Sequence, residues 1–277
     1  MTPGKLRSAS PATKLPRWHL SRANPPAHFM HATATPPVIG ISSCLLGQAV
    51  RYDGQHKFNK TVDRLGRRVL FARVCPEVAI GMGVPRPPIQ LRGCSESPRA
   101  VGVDDPQRDP SAALIALGRE NAGKLALSGY IFKAHSPSCG IGSVPVYSED
   151  GGITGRAHGL YANEFLRAHP LLPVIDEKNL ARNRLQYRFM LRVYGYQQWQ
   201  ALRAKPLARN LKRFHSGWRA LIDNRACRTR LDRLAAASRA ANVQQTTDRY
   251  FFLLLTALKR HPMIEDSPII DCRFQRR

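Results

Sequence analysis

VIGISSCLLG, residues 38–47, sets an apolar run directly ahead of a cysteine, and this order recurs along the first half of the chain. Val69–Val74 (VLFARV) precedes Cys75, and Tyr130–Ala134 (YIFKA) precedes Cys139 after a brief polar turn. Short apolar runs bounded by turn residues read as buried strands. In an open α/β sheet, ligands gather at the carboxyl ends of the strands, near a topological switch point. Thiols delivered there could converge although they stand 31 and 64 residues apart (75 − 44; 139 − 75). Three ligands are one fewer than a closed tetrahedral site or a four-cysteine cluster uses, which leaves a position open.

Outward from these strands the chain alternates in type. Ser111–Leu127 has helical spacing of apolar residues and stops at Ser128-Gly129. Gly151-Gly152 marks a hairpin or tight turn, Tyr161–Ala168 a short helix, and Leu171–Ile175 another apolar run. Alternating strands and helices imply an α/β fold, a Rossmann-like parallel sheet with helices on both faces. Past Asp176-Glu177 everything reads as helix: Leu180–Tyr194 ending at Gly195, then Leu207–Asp223, then Gln244–Arg260. The expected organisation is a basic extension over 1–37, an α/β domain over 38–175, a smaller helical domain over 176–262, and a tail over 263–277. The extension has no acid and no sustained apolar period. A transit peptide is one reading of it, and translation from Met30 is the favoured one.

Six cysteines in 277 residues are too few and too scattered for a disulfide scaffold. No run approaches the roughly 20 apolar residues of a membrane span, so a soluble, cytoplasmic protein with reduced thiols is expected. The net charge of +24 is unevenly spread: residues 1–159 carry 20 Lys/Arg against 10 Asp/Glu, and 160–277 carry 23 against 9. From Lys178 to Trp218 there is no acid, while Tyr187, Phe189, Tyr194, Tyr196, Trp199, Phe214 and Trp218 interleave with Arg and Lys. Phosphate neutralisation with base stacking would use such a pattern. The plainer alternative is a solvated helical face with its aromatics in the core.

Each thiol has its own local chemistry. Cys44 lies in SSCLLG with RYDG downstream, Cys75 in CPE followed by GMGVPRPP, and Cys139 in SPSCG. Pro and Gly fix the backbone there and let a bulky group approach. Any one of these cysteines alone would more commonly be an inert buried thiol. The strings ISSCLLG…VRYDG, CPEV…PRPP and SPSCG, in that order, resemble the TudS-type thiouracil desulfidases over roughly residues 38–175. RFMLRVYGYQQW and NLKRFHSGW resemble the helical domain fused to such domains in RudS-type RNA desulfidases. That likeness fades after about His261, so the helical domain reads as truncated.

The resemblance implies that Cys44, Cys75 and Cys139 hold a 4Fe–4S cluster by three irons, leaving the fourth open to a thiocarbonyl sulfur. Glu77 and Ser136 match the family's catalytic carboxylate and hydroxyl. Asp53, Arg86 and Lys133 are candidates for orienting substrate, although Arg86 could simply pair with a carboxylate and Ser136 could simply bond the backbone. His56 and His135 read as surface groups, and Cys94, Cys227 and Cys272 as ordinary thiols. The implied activity is non-redox exchange of sulfur for oxygen in a thiolated pyrimidine, with 4-thiouridine in tRNA or the free base as substrate. The alternative is a non-catalytic RNA-binding protein with a structural metal site.

Overall fold

A computed structural model describes residues 35–222, 224–239 and 242–259. The expectations for most of the extension, for the tail and for Cys272 lie outside these residues. The strands ahead of the three cysteines form where expected: β1 Val38–Ser42, β2 Leu70–Val74 and β5 Gly129–Phe132. With β8 Val174–Asp176 they make a four-stranded parallel sheet in the order β2-β1-β5-β8. Side chains alternate across a strand, and β5 shows it. Tyr130 and Phe132 enter one core with Tyr161 and Phe165, whereas Ile131 joins Ile39, Ile41 and Ile175 in another. Both faces of the sheet are therefore covered, as expected.

A second sheet, in the order β4-β3-β6-β7, was not foreseen. Its strands are β3 Ile89–Arg92, β4 Arg99–Gly102, β6 Val144–Tyr147 and β7 Ile153–Ala157. Four or five residues are too few for alternation to stand out in sequence. The turn at Gly151-Gly152 joins β6 to β7 as an antiparallel hairpin. The helices of this half are α1 Lys60–Leu65, α2 Pro76–Ala79, α3 Ser111–Lys124 and α4 Leu160–Ala168. α3 ends three residues before the expected Leu127, because Leu125 turns extended and Ser128 donates to Val38 O at 2.7 Å, entering the sheet's edge.

The remaining helices are α5 Glu177–Leu180, α6 Asn183–Ala204, α7 Ala208–Arg219, α8 Arg225–Ala237 and α9 Val243–Lys259. α6 does not stop at Gly195. A Cβ there would lie 3.0 Å from Trp218 Cη2, so the glycine admits the indole of α7 instead of ending the helix. Phe189 and Val193 of α6 pack on the parallel sheet with Ile131, and its later residues Trp199 and Leu202 join α7–α9. The helical segment thus shares a core with the α/β half.

The interleaved aromatics face inward. Phe189, Tyr194, Tyr196, Trp199, Phe214 and Trp218 are all buried, and only Tyr187 is partly accessible. Trp199 stacks on Phe251 of α9, and Arg203 lies 5.0 Å above the Trp199 ring. Burial of these rings corrects the expectation that they stack bases: they fill the bundle's core, while Arg209, Lys212 and Arg213 stay exposed.

Candidate metal centre

Cys44 follows β1 in a single 3-10 turn, Cys75 ends the connection from β2 to α2, and Cys139 lies in the loop after β5. The order β2-β1-β5 makes these strands neighbours, so their carboxyl ends bring the three loops together. Cys75 acts on the ionisation of Cys44, and both act on Cys139. Burial pushes Cys44 up to about 11; the charges of Lys133 and Arg51 oppose this and Cys75 adds to it. Burial raises Cys75 as well, against the Val78 backbone N–H. Cys139 is driven far up by burial, opposed by a hydrogen bond with the Ser42 side chain and reinforced by Cys75 and Cys44. Among the described residues, no three His, Cys, Asp or Glu groups close on a point suited to a single ion. A polynuclear iron–sulfur group is held by several cysteine thiolates, each on its own iron. The donor set fits such a group, since thiolate is its usual protein ligand.

Glu77 is the most constrained carboxylate of the site. Arg86 Nε donates to its Oε2 at 2.8 Å, and the Ser138 hydroxyl donates to its Oε1 at 2.6 Å. The same guanidinium donates from Nη1 to Gly83 O and from Nη2 to Val50 O, at 2.8 and 3.0 Å. Val50 O also receives the Cys75 thiol at 3.6 Å, so this carbonyl ties the carboxylate's partner to a candidate ligand. Ser136 Oγ accepts the backbone N–H of Ser138 and Cys139, at 3.3 and 3.1 Å. It shapes the loop that presents Cys139.

The residues expected to orient substrate all have intramolecular partners. Arg86 takes its pairing alternative, with a side chain 3% exposed against Glu77. Lys133 Nζ donates to Glu177 Oε1 at 2.6 Å and to Ala134 O at 2.9 Å. Asp53 receives Arg51 at 2.8 Å near the surface. Arg86 thereby steadies Glu77, and the charge of Lys133 lowers the Cys44 pKa against its burial. His56 Nδ1 accepts the Phe58 N–H at 3.2 Å, and the residue is exposed as expected.

Two residues escaped sequence reading. Ser138 is fully buried and holds Glu77; it sat unremarked inside SPSCG. Glu177 was read as a helix-start acid, yet it also accepts the Ala134 N–H at 2.6 Å and contributes to the field at Cys44. Gly159, just before α4, completes the centre: a Cβ there would meet the Ser138 carbonyl carbon at 2.5 Å and the Cys139 nitrogen at 2.7 Å. This close approach locks the Cys139 loop against α4.

A family model described as 2-thiouracil desulfurase matches residues 39–177, half of the chain. The uncharacterized protein YbbK of Bacillus subtilis (strain 168) is 30% identical over 118 residues, which are 39% of this chain and 76% of that protein. A solved structure titled as the 4Fe-4S-dependent thiouracil desulfidase TudS is 32% identical, covering 55% of this chain and 97% of that one, with a TM-score of 0.42.

Proposed function

The chain belongs to the 2-thiouracil desulfurase family, and from that premise we propose that it exchanges the sulfur of a thiolated pyrimidine for oxygen, with 4-thiouridine in RNA, foremost tRNA, as the substrate of the whole chain. One observation carries this: three thiols follow neighbouring parallel strands, beside a carboxylate fixed on both oxygens. Cys44, Cys75 and Cys139 would hold a 4Fe–4S cluster, which when bound supplies a soft Lewis-acid iron for the thiocarbonyl sulfur.

The chain's own residues supply the proton chemistry. Overall, C=S and water give C=O and hydrogen sulfide, with no change of oxidation state and no need of nicotinamide or flavin. Glu77 accepts the proton of the water that attacks the ring carbon, while Arg86 and Ser138 keep its oxygens aimed. Ser136 donates its hydroxyl proton toward the departing side of the adduct. Lys133 and Arg51 offset the negative charge that three thiolates bring to a buried place. Exposed cations such as Arg209, Lys212 and Arg213 support an RNA partner, held through phosphates because the aromatics are buried.

The test is turnover under anaerobic conditions by the full chain carrying iron and sulfide. Loss of thiocarbonyl absorbance from 4-thiouracil or thiolated tRNA, with one sulfide per uracil formed, is expected. Iron-loaded protein that leaves every thiolated pyrimidine intact would overturn the proposal.

A further inference from the structure

Among the described residues, six buried side-chain nitrogens and oxygens lack a hydrogen-bond partner, and two of them stand side by side. They are Ser143 Oγ and His158 Nδ1, at the end of the hairpin β6–β7. The last ladder pair of that hairpin is Val144 with Ala157, so Ser143 and His158 are the next residues out on the two strands. Opposed residues of an antiparallel pair have Cβ atoms about 4.5–5.5 Å apart. The backbone is pinned here: Ser143 O meets exposed His135 Nδ1 at 3.1 Å and accepts from Arg156 Nη1 at 3.0 Å. Buried polar atoms are nearly always satisfied, and an orphan points to a bound group or a special role.

The same hairpin end is clamped to the loop that carries Cys139. Gly159 N–H donates to Gly140 O at 2.7 Å, Leu160 N–H to Pro137 O at 3.0 Å, and Ala162 N–H to Ser138 O at 3.1 Å. A Cβ on Gly159 would lie 2.7 Å from the Cys139 nitrogen. Adjacent Cα atoms are about 3.8 Å apart, so the His158 Cα lies within about 8 Å of that nitrogen. This places the imidazole near enough to meet a group held on the Cys139 sulfur. Imidazole Nδ1 and a serine hydroxyl can both donate, and the sulfurs of an iron–sulfur group accept such bonds.

We propose that His158, with Ser143 beside it, donates from Nδ1 to sulfur of the iron–sulfur group on Cys44, Cys75 and Cys139, and so sets that group's electron density. This deepens the desulfidase reading and rests on it for the presence of the group. His158 is a positioning residue, acting on the substrate through the iron. A donor on sulfur withdraws electron density, which favours the reduced state and strengthens the iron as a Lewis acid.

The experiment uses the iron-loaded full chain, isotopically labelled at histidine nitrogen, reduced with dithionite and free of substrate. Pulsed electron paramagnetic resonance should show a histidine nitrogen coupled to the cluster spin in the wild type and in His135→Gln, and none in His158→Leu. The reduction potential should fall in His158→Leu by about tenfold in the reduction equilibrium, about 59 mV for one electron. His158→Asn, whose amide nitrogen takes the place of Nδ1, should restore most of the loss, and Ser143→Ala should shift the potential the same way but less. A wild-type cluster without the coupling, or a His158→Leu cluster that keeps the coupling or the wild-type potential, would overturn the proposal.

The wild-type and His135→Gln spectra decide the matter should His158→Leu take up no iron. Because both readouts are taken without substrate, the two proposals fail separately. The coupling in a chain that desulfurates nothing upholds the His158 contact and removes the desulfidase reading. Turnover by a cluster that lacks the coupling removes the contact alone.

Discussion

Charge is arranged in opposite ways in the two halves of the chain. Around the thiols, cations are matched to carboxylates and buried: Arg86 against Glu77, Lys133 against Glu177. On α6–α8 many cations, among them Arg184, Arg209, Lys212 and Arg213, are exposed with few acids near them in sequence, and most of the rings between them are packed inward. The first arrangement fixes atoms; the second presents charge. A buried pair broken on one side leaves an uncompensated charge, whereas a surface cation can be removed at little cost to stability. The proposed function asks for both arrangements in one arginine-rich chain: a fixed chemical centre and a surface that meets a polyanion.

The largest expected effect lies in the first half. Glu77→Gln is nearly isosteric and should retain iron and sulfide while turnover falls about 10²–10⁴-fold, the range for a lost general base. Unchanged turnover, with the cluster intact, would make the Arg86–Glu77–Ser138 array purely structural.

Next comes the bundle core. Trp218 is 1% exposed, fills the space above Gly195, and donates to Gln198 at 2.9 Å. Trp218→Ala should cost about 3–5 kcal/mol of stability by chemical denaturation. A loss of RNA affinity without loss of stability would revive the stacking expectation and undo the contrast. A smaller effect is expected on the surface. Replacing Arg209, Lys212 and Arg213 with Gln should leave the melting temperature nearly unchanged. The slope of log affinity for tRNA against log salt should shallow by about one per phosphate contact removed. An unaltered slope would move the RNA surface elsewhere.

The smallest concerns pH. His215 Nδ1 lies 2.7 Å from the hydroxyl of buried Tyr250, and Nε2 lies 2.9 Å from Asp232, which Arg219 also grips. Burial and Arg219 pull its pKa down, against Asp232, so the folded state prefers neutral histidine. With the folded value below the ordinary value of about 6.5, the contribution is complete above that pH and fades as pH falls through the folded value. Stability of the helical half should therefore decline modestly on acidification below about pH 6.5. His215→Gln should flatten that decline, and an identical pH profile in the variant would remove His215 as its source.

These regions also differ in how far the sequence reveals them. The strands at β1, β2 and β5 announce themselves because apolar runs end abruptly at cysteines, and their order delivers the thiols to one edge. The second sheet was hidden because IQLR, RAVG and VPVY are too short to show a period. Listing Arg beside Trp along a helix does not say which side each faces: Arg203, four residues after Trp199, folds over the ring instead of leaving it open. Glu77 was visible as part of CPE, but Ser138 and Arg86 became its anchors only when loops 61 and 9 residues away folded onto it.

The central claim is that Cys44, Cys75 and Cys139, and no other thiols among the described residues, hold an iron–sulfur cluster. Iron and acid-labile sulfide, measured after anaerobic reconstitution of the wild type and of single Cys→Ala variants, test it directly. About four of each per chain are expected in the wild type and in the variants at exposed Cys94 and at Cys227, with a collapse at each of the three strand-end positions. Full iron and sulfide in a Cys44, Cys75 or Cys139 variant, or none in the wild type, would contradict the account.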